Sequence, residues 1–435
     1  MKRTPSTLNR RTFLKTAGAG ISTALTASQY RALAGESPNE RIVMGFIGLG
    51  GMGSGRLNEF MRHEDVVVGG LCYVDQTHLE KAAGEVEKRR DTRPPLFNDF
   101  RRLLDQKDID AVMIATPDHW HALTTITACQ AGKDVFVEKP LCHNIAEGRA
   151  MVQAALDNHR VTQLGTHIHN SSDNYRRVVE LVRSGNLGRI TRVHCWKTSS
   201  TSKGLGRPAD GEPPAGLDYN FWLGPAPQRV YNPNRSHFHF RYFWDYSGGV
   251  FIDFWCHITD VAYWALDLPD PISVSATGAR RFLEDNTETP DCLEVLYEYP
   301  GLTMVWTLDP NPPAFAHMGG IGCIFEGTQA TLVTNYDRHE VWVDGKKQED
   351  FPRPEPSIPE SPGHIREYLN SIKSREKTTC NVEYAHRLTK GGHLGNIAFR
   401  SGDRIYWDSE NEQVKNNPEA NRLVSRQYRR PWSLA

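Results

Sequence analysis

Two charged groupings in this sequence carry side chains suited to proton transfer. Lys139 follows Glu138 at the end of a short apolar run, and a lysine whose pKa is lowered by burial and a nearby cation can hold and release a proton. Asp253 and His257 stand four residues apart in an apolar, aromatic segment, residues 248–266. On a helix they would share one face, and we expect Asp253 to raise the imidazole pKa and orient the ring. A general acid–base pair is one interpretation of this spacing, and a satisfied pair of core residues is the other.

A glycine-rich turn earlier in the chain has the spacing of a dinucleotide site. It follows the apolar, β-branched residues 41–47, and the G-x-G-x-x-G motif with its enclosed residues comprises Gly48, Gly50, Gly51, Met52 and Gly53. Such glycines permit a tight turn, the approach of a pyrophosphate and close packing of helix on strand. Asp75 ends the next apolar run, about 22 residues beyond the motif, where an acid binds ribose hydroxyls. A carboxylate there repels a 2′-phosphate, so NAD is favoured over NADP.

The surrounding pattern predicts a Rossmann domain at residues 35–165. Strand-like and helix-like runs alternate there, which indicates a parallel sheet with right-handed crossovers. Ligands in such sheets bind beyond the carboxyl ends of the strands. Three loops should leave those ends: the glycine turn, residues 116–121 and residues 138–140.

A second α/β domain with an open, mostly antiparallel sheet is predicted for residues 166–400. Strand-like runs occur at residues 189–198, 272–283, 292–308 and 321–334, with little helix between the last three. Residues 199–240 form a long aromatic loop, and loops of this length are usually functional. Residues 346–362 are predicted to be a linker and residues 382–399 a helix, while the aromatic tail, residues 401–435, should pack on this domain.

Other polar side chains give weaker indications. Three His-x-His pairs occur, namely His119/His121, His167/His169 and His237/His239. On a strand each pair could bind a metal, but no Cys or Glu stands at ligand spacing, so we expect hydrogen bonding and no metal site. The eight cysteines are scattered without a C-x-x-C motif and are interpreted as buried thiols.

The first 34 residues have the features of a twin-arginine signal peptide. Residues 9–15, which include Arg10 and Arg11, are followed by a mildly apolar run and by an A-x-A site at residues 32–34, with Ala27 as another possible end. The alternative is a disordered basic tail. A signal peptide predicts export to the periplasm through the twin-arginine machinery.

Charge and hydropathy limit the kinds of partner that the mature chain is expected to bind. Loss of residues 1–34 removes six Lys or Arg and no acid, so the formal net charge moves from −1 to −7. That charge argues against nucleic acid or an anionic membrane as partner. No later run reaches the ~18 apolar residues of a membrane helix, so stable membrane insertion is not expected.

These motifs together resemble the glucose–fructose oxidoreductase, inositol dehydrogenase and MocA family. The similarity covers about residues 41–400 and depends on GFIGLGGMG, ATPDHWH, VFVEKP, SGNLGRI and GGVFIDFWCHITD, in that order. It implies a Rossmann domain, a second domain often used for oligomerisation, and hydride transfer between a nicotinamide and a sugar or cyclitol carbon. We therefore expect a homo-oligomer with a carbohydrate substrate.

The resemblance also implies roles for individual residues. Lys139, Asp253 and His257 match the catalytic positions, and the cofactor-contacting positions correspond to Thr116, Pro117, His121, Glu138 and Lys139. Two departures from the family pattern occur: Asp118 replaces a commoner Asn, and Ser247 replaces the first of three glycines.

Three functions fit an exported member of this family, because no free nicotinamide pool exists outside the cytoplasm. The first, which we favour because Lys139, Asp253 and His257 suffice for hydride transfer with proton movement, is an oxidoreductase that keeps NAD tightly bound and recycles it between two sugars. The second is a glycosidase or lyase that works by transient oxidation, elimination and re-reduction, with His167 or His169 as the extra base. The third is a non-catalytic sugar-binding protein. His167, His169, Tyr175 and Trp244 are the candidate substrate residues.

Overall fold

The computed structural model describes residues 41–171, 173–311 and 316–434. The predicted signal peptide and its cleavage sites lie outside the described residues. Within the described ranges, no helix combines the length and apolar character needed to span a bilayer.

The N-terminal part of the chain forms a six-stranded parallel sheet. Its strands are β1 (Ile42–Ile47), β2 (Val66–Cys72), β3 (Leu96–Phe97), β4 (Ala111–Ile114), β5 (Asp134–Val137) and β6 (Thr162–Leu164). Their order is β3-β2-β1-β4-β5-β6, which is the topology of a dinucleotide-binding domain. The helices are α1 (Gly51–Phe60), α2 (Gln76–Arg90), α3 (Phe100–Leu104), α4 (Asp118–Gln130) and α5 (Ile145–Asp157). β1 is buried along its whole length, as its apolar sequence requires.

The second sheet has ten strands in the described residues. They are β7 (Ile190–Thr198), β8 (Ser273–Ala279), β9 (Cys292–Tyr299), β10 (Leu302–Asp309), β11 (Ile321–Gly327), β12 (Thr331–Thr334), β13 (His339–Val343), β14 (Lys346–Gln348), β15 (Ile405–Asp408) and β16 (Gln413–Val414). All neighbouring pairs are antiparallel except β7 with β10. The predicted fold class, a Rossmann domain with an α/β domain on a mostly antiparallel sheet, is therefore confirmed.

Helices connect the two sheets and cover the second one. They are α6 (Ile168–Ser171), α7 (Asp173–Arg183), α8 (Tyr219–Leu223), α9 (Gly249–Leu266), α10 (His364–Ser374), α11 (Val382–Ser401) and α12 (Pro418–Asn421). α9 packs against α7 and α11. Burial along β9 alternates, with Leu293, Val295 and Tyr297 inside, so this strand buries only one face of the sheet.

α10 belongs to the core of the N-terminal domain although it comes late in the chain. Ile365, Tyr368 and Leu369 join the apolar cluster of that domain. The ring of Tyr368 lies 6.3 Å from that of Phe60 and 5.7 Å from that of Phe136, both nearly edge-on. The N-terminal core is therefore completed by residues far beyond the predicted domain boundary.

Two local predictions need correction. Residues 116–121 do not form one loop, because α4 begins at Asp118 and places His119 and His121 in its first turn, both buried. The helix continues through the apolar residues that follow, so both histidines belong to its first turn. The linker predicted at residues 346–362 begins with strand β14, which pairs with β13.

The C-terminal tail packs against the N-terminal domain. Arg426 Nε lies 3.0 Å from Glu147 Oε1, and the Tyr428 hydroxyl donates to the same oxygen at 2.7 Å. Glu147 is fully buried on α5, so these two groups compensate a buried charge. The ring of Trp432 lies 4.8 Å from that of Trp120 on α4. The tail, which the sequence predicts to pack on the second domain, thus also packs on the Rossmann domain.

Replacing Arg426 by Met should lower the free energy of unfolding by about 3 kcal/mol, because it leaves a buried carboxylate without its cation. Arg422→Met is the matched control, since the pair between Arg422 and Glu419 is exposed and should contribute less than about 1 kcal/mol. Urea denaturation of both variants measures the two values. Equal losses would show that Glu147 does not need the tail.

Candidate active site

The turn after β1 is shaped by two glycines that no other residue can replace. Gly48 has a φ of +90°, and a Cβ atom there would lie 2.6 Å from the carbonyl group of Ala115. A Cβ atom at Gly53 would lie 1.8 Å from the Gly48 oxygen, so α1 approaches β1 at a distance that only glycine allows. These contacts are the tight turn and the close helix–strand packing of a dinucleotide-binding motif.

The rest of the motif is open on the side that a ligand would approach. A Cβ atom at Gly51 would meet nothing within 4 Å, and one at Gly50 would meet only the Tyr73 hydroxyl, at 3.4 Å. Gly50 is the N-cap of α1 and supplies no side-chain acceptor, so the backbone N–H groups of the first turn can bind an anion. Met52 in that turn is 51% exposed. The turn therefore fits a pyrophosphate.

Asp75 lies where the sequence predicts the ribose-binding acid. It caps α2 by accepting a hydrogen bond from the backbone N–H of His78 at 3.0 Å, and its Oδ2 lies 3.0 Å from Nε2 of His237. Burial opposes its ionisation, but hydrogen bonds from His78 and the proximity of His237 outweigh burial and lower the pKa of Asp75. The carboxylate is therefore an anion at neutral pH.

An apolar cavity opens between the glycine turn and α4. Its lining includes Gly48, Val74, Thr116, Pro117, Trp120 and Phe221. Flat apolar walls of this kind suit the base of a dinucleotide. Thr116 Oγ1 is buried without a hydrogen-bond partner in the described part of the chain, so it can bond to a ligand.

Glu138 and His121 join neighbouring turns at the carboxyl ends of the strands. Glu138 Oε1 accepts a hydrogen bond from Arg56 Nε at 2.5 Å, while its Oε2 is buried and lacks a partner among the described residues. The ring nitrogens of His121 lie 2.8 Å from the carbonyl oxygens of Thr116 and Pro140. His121 therefore positions the two turns, and Glu138 keeps one oxygen free for a ligand.

Lys139 makes a buried ion pair with Asp253. Its Nζ lies 2.5 Å from Asp253 Oδ1, and Arg241 Nε lies 3.2 Å from Oδ2 of the same carboxylate. Burial alone would lower the pKa of Lys139, but the charge and hydrogen bond of Asp253 outweigh it and raise that pKa. The expectation of a lysine with a lowered pKa is therefore wrong, because the nearest charge is an anion. Burial likewise opposes ionisation of Asp253, and the two cations outweigh it and lower its pKa.

His257 lies on α9 one turn after Asp253, as predicted, but its protonation state differs from the prediction. Burial and then the positive charge of Lys139 lower the pKa of His257 to about 3, although Asp253 acts in the opposite direction. The expectation that Asp253 raises this pKa fails because Asp253 is already bound to Lys139 and Arg241. The Nδ1 atom of His257 is buried without a partner in the described residues. The imidazole is thus a neutral base at physiological pH.

The two departures from the family pattern touch each other. The Ser247 hydroxyl donates a short hydrogen bond to Asp118 Oδ2, which joins the start of α4 to the segment before α9. Asp118 is buried, and burial, together with the charge of Asp253, raises its pKa to about 7 against the hydrogen bond from Ser247. The pair therefore places a titratable carboxyl beside Lys139, Asp253 and His257, which we call the catalytic cluster.

Of the two histidines proposed as an extra base, only His167 lies near His257. Their ring centroids are 5.8 Å apart, and burial lowers the pKa of His167. His169 lies on α6 with its Nε2 3.1 Å from Asp260 Oδ1, and its ring stacks on Trp264. His169 is therefore occupied by core contacts rather than by the site.

The other two candidate substrate residues are not brought to the catalytic cluster. Tyr175 is buried and packs against Tyr336, whose ring stacks in turn on His167. Tyr175 therefore lies one layer behind His167, with Tyr336 between them. The ring of Trp244 lies under the guanidinium of Arg400, 5.0 Å away, and near the ring of Phe399; in the described part of the chain its ring contacts do not include Lys139, Asp253 or His257.

Two groups of metal-type side chains occur in the described residues. They are Asp75 with His78 and His237, and His169 with Asp260 and Cys380, and the ligand atoms in each group lie within 4.8 Å of one another. The first group contains Asp75, the acid predicted to bind ribose. In the second, burial raises the pKa of Cys380 well above its usual value, which disfavours the thiolate that a metal needs.

The sequence did not single out Arg241, which directly follows the long loop, and it named His237 of that loop only as one of a His-x-His pair. Arg241 is a second cation beside Asp253, in addition to Lys139, and the imidazole of His237 bonds to Asp75. The length of the loop was the available signal, because it predicted a functional role without naming residues.

The family comparisons agree with this geometry. A model described as "Oxidoreductase family, NAD-binding Rossmann fold" matches residues 42–166, and one described as "Oxidoreductase family, C-terminal alpha/beta domain" matches residues 175–434. The chain belongs to this family of oxidoreductases, named Gfo/Idh/MocA, and its first domain is an NAD-binding Rossmann domain. The predicted family, enzyme class and NAD cofactor are thus confirmed.

Similar proteins fall into two groups. Glycosyl hydrolase family 109 proteins of Shewanella, among them the alpha-N-acetylgalactosaminidase of Shewanella oneidensis, are 30% identical over 204 residues, which is 42% of this chain. The chain spans only 44% of the length of these relatives.

Solved structures show the same fold at low identity. The WlbA dehydrogenase of Bordetella pertussis, in complex with NADH and UDP-GlcNAcA, is 18% identical with a TM-score of 0.63, over 85% of this chain and 99% of that one. A levoglucosan dehydrogenase in complex with NADH and L-sorbose is 17% identical with a TM-score of 0.61, over 84% and 99%.

The residues of this site fit the cofactor that the family implies. The glycine turn, Asp75, Thr116 and Glu138 would hold NAD at the edge of the sheet, with Lys139 at its inner end. Bound there, the cofactor supplies a hydride acceptor or donor. The neutral His257 can take a proton from a hydroxyl, and the ammonium of Lys139 can donate a hydrogen bond to the same oxygen.

Replacing Asp118 by Asn should change stability in a pH-dependent way. Asp118 ionises above about pH 4 in the unfolded chain but only near pH 7 in the folded protein. Between these values the folded state holds the extra proton, so this group destabilises the protein as pH rises. The melting temperature of Asp118→Asn relative to the parent protein should therefore increase from pH 4 to pH 7 and then level off. A difference that does not vary with pH would show that Asp118 is ionised throughout.

Proposed function

We propose that this chain is an exported enzyme that transfers a hydride between tightly bound NAD and a sugar, sugar derivative or cyclitol. The observation that carries the proposal is the buried cluster of Lys139, Asp253 and His257 at the inner end of the NAD site. His257 removes the hydroxyl proton as the hydride leaves carbon, and Lys139 stabilises the oxygen. Asp253 holds Lys139 in place, and Arg241 lies beside the other oxygen of Asp253.

The cofactor should stay bound through the cycle, because an exported protein meets no pool of free nicotinamide. One sugar would be oxidised and a second reduced in alternation. Denaturing the purified protein should therefore release NAD or NADH in near-stoichiometric amount, measured by absorbance and mass. An empty protein would contradict the recycled cofactor.

A second function is favoured by the position of His167. Its ring lies beside that of His257, and burial lowers the pKa of both, so both are neutral bases. One could act on the hydroxyl and the other on the adjacent C–H, as a glycosidase with transient oxidation requires. The similarity to glycosyl hydrolase family 109 proteins supports this alternative.

Turnover without added cofactor separates the two functions. An oxidoreductase given a sugar and a keto sugar should yield one oxidised and one reduced product. A glycosidase given a nitrophenyl glycoside should release nitrophenol with no net redox change and should exchange the C2 hydrogen with deuterated water.

His257→Ala should lower turnover by at least about 100-fold in either case, because it removes the acid–base group. His317→Ala is the matched control, since His317 is exposed and pairs with Glu340 in the second sheet. Unchanged turnover in His257→Ala would remove His257 from the mechanism. Unchanged sugar affinity in a protein without any turnover would indicate a binding protein.

Export through the twin-arginine machinery is part of the proposal. The pattern around Arg10 and Arg11 supports it. Carriage of a folded protein also suits eight cysteines that are all free and buried and a cofactor that must be loaded first. Residues 1–40 fused to a reporter should direct it to the periplasm, and Arg10→Lys with Arg11→Lys should abolish this, whereas Arg3→Lys should not. A reporter retained in the cytoplasm would contradict the proposal.

Assembly into a homo-oligomer stays a prediction. The face of the second sheet away from the core exposes Leu296 and Tyr406, which is compatible with an interface. The mass of the particle in solution tests it.

A further inference from the structure

A second cavity borders the catalytic cluster in the C-terminal domain. It lies where β7 ends and the long loop begins, and residues 283–291 form its far wall. Val250 and Phe254 of α9 line its near wall, one helical turn apart. This cavity shares no lining residue with the apolar cavity that fits the dinucleotide. Lys139, Asp253 and His257 do not line it.

The cavity adjoins the cluster through two aromatic residues. The ring of Phe254 lies 5.7 Å from that of His257. Tyr242, which also lines the cavity, directly follows Arg241, the partner of Asp253. A molecule whose reacting hydroxyl is at His257 can therefore extend past Phe254 towards Tyr242.

Lys197 supplies hydrogen-bond donors to the near wall of the cavity. Its ammonium lies 5.1 Å from the centre of the Phe254 ring and donates a hydrogen bond to the Thr198 carbonyl. In the described part of the chain it forms no ion pair, and burial lowers its pKa. Two of its three N–H groups remain for a ligand.

The acids in the wall are already used by the loop that carries them. Asp285 accepts hydrogen bonds from Arg280 at 2.6 Å and from the Leu205 backbone at 2.8 Å. Asp291 accepts three backbone N–H groups, from residues 281–283. Two carboxylates this close to the cavity also repel phosphate or sulfate, so a neutral ligand rich in hydroxyl groups fits better than an anion.

We infer that this cavity is a second sugar subsite, which holds the next pyranose of a glycoside whose reacting sugar lies at His257. The rings of Phe254 and Tyr242 offer apolar faces, and the ammonium of Lys197 offers hydrogen bonds to the hydroxyls of a pyranose. This inference rests on the proposed function and narrows it, because the substrate is then a disaccharide or larger glycoside rather than a free monosaccharide.

The test compares disaccharides with their component monosaccharides, without added cofactor. For the preferred disaccharide, kcat/KM should exceed that of the matching monosaccharide by at least about tenfold, which corresponds to about 1.4 kcal/mol. Ser202→Trp, which fills the cavity, should bring this ratio towards one by raising KM for the disaccharide only. Thr201→Trp is the matched control, because the neighbouring Thr201 does not line the cavity. Lys197→Met, which removes the ammonium and keeps the length of the side chain, should raise that KM about fivefold.

Two results would overturn the subsite. One is equal kcat/KM for monosaccharides and disaccharides in the parent protein, and the other is an equal loss for both sugars in Ser202→Trp. If neither sugar is turned over, the proposed function fails, and calorimetry of disaccharide and monosaccharide binding to the same three variants decides the subsite. Equal affinity for the two sugars in the parent protein would then exclude it.

Discussion

The ion pair between Lys139 and Asp253 is the constraint on which the site depends. It joins the turn after β5 in the Rossmann domain to α9 in the second domain, and both side chains are nearly removed from water. A buried charge is tolerated only when it is paired, so each domain neutralises a charge of the other. The same pair sets the electrostatics: the positive charge of Lys139 helps to keep His257 neutral. One contact therefore fixes both the geometry of the cleft and the protonation of its base.

The sequence predicted the Rossmann domain, its glycine turn, Asp75 and the helix that carries Asp253 and His257. These features are local, and a motif read along a single segment is sufficient for them. The partner of Asp253 could not be predicted in the same way. Helical spacing placed Asp253 beside His257, yet its carboxylate binds a lysine 114 residues away. Spacing identifies which residues share a face but not which side chain another element brings to that face.

Asp118 and Ser247 illustrate the same limit from another side. Each stood out in the sequence as a separate departure from the family pattern, and their separation of 129 residues gave no sign of a connection. In the structure the Ser247 hydroxyl bonds to the Asp118 carboxyl, so the two substitutions form one change. The long loop is a further case, because its length predicted a functional role without naming the residues. It contributes the imidazole of His237, and Arg241, which directly follows the loop, contributes a guanidinium.

The position of α10 has a consequence for the order in which the chain can fold. Phe60 and Phe136 pack against Tyr368, so the N-terminal domain lacks part of its core until the ribosome has made about six-sevenths of the chain. Domains of a nascent chain usually fold in turn from the N-terminus. Here the core of the first domain is completed only after α10 has been made, so the apolar surface that α10 covers stays open during most of synthesis. The first domain therefore cannot finish its packing before most of the second has been translated.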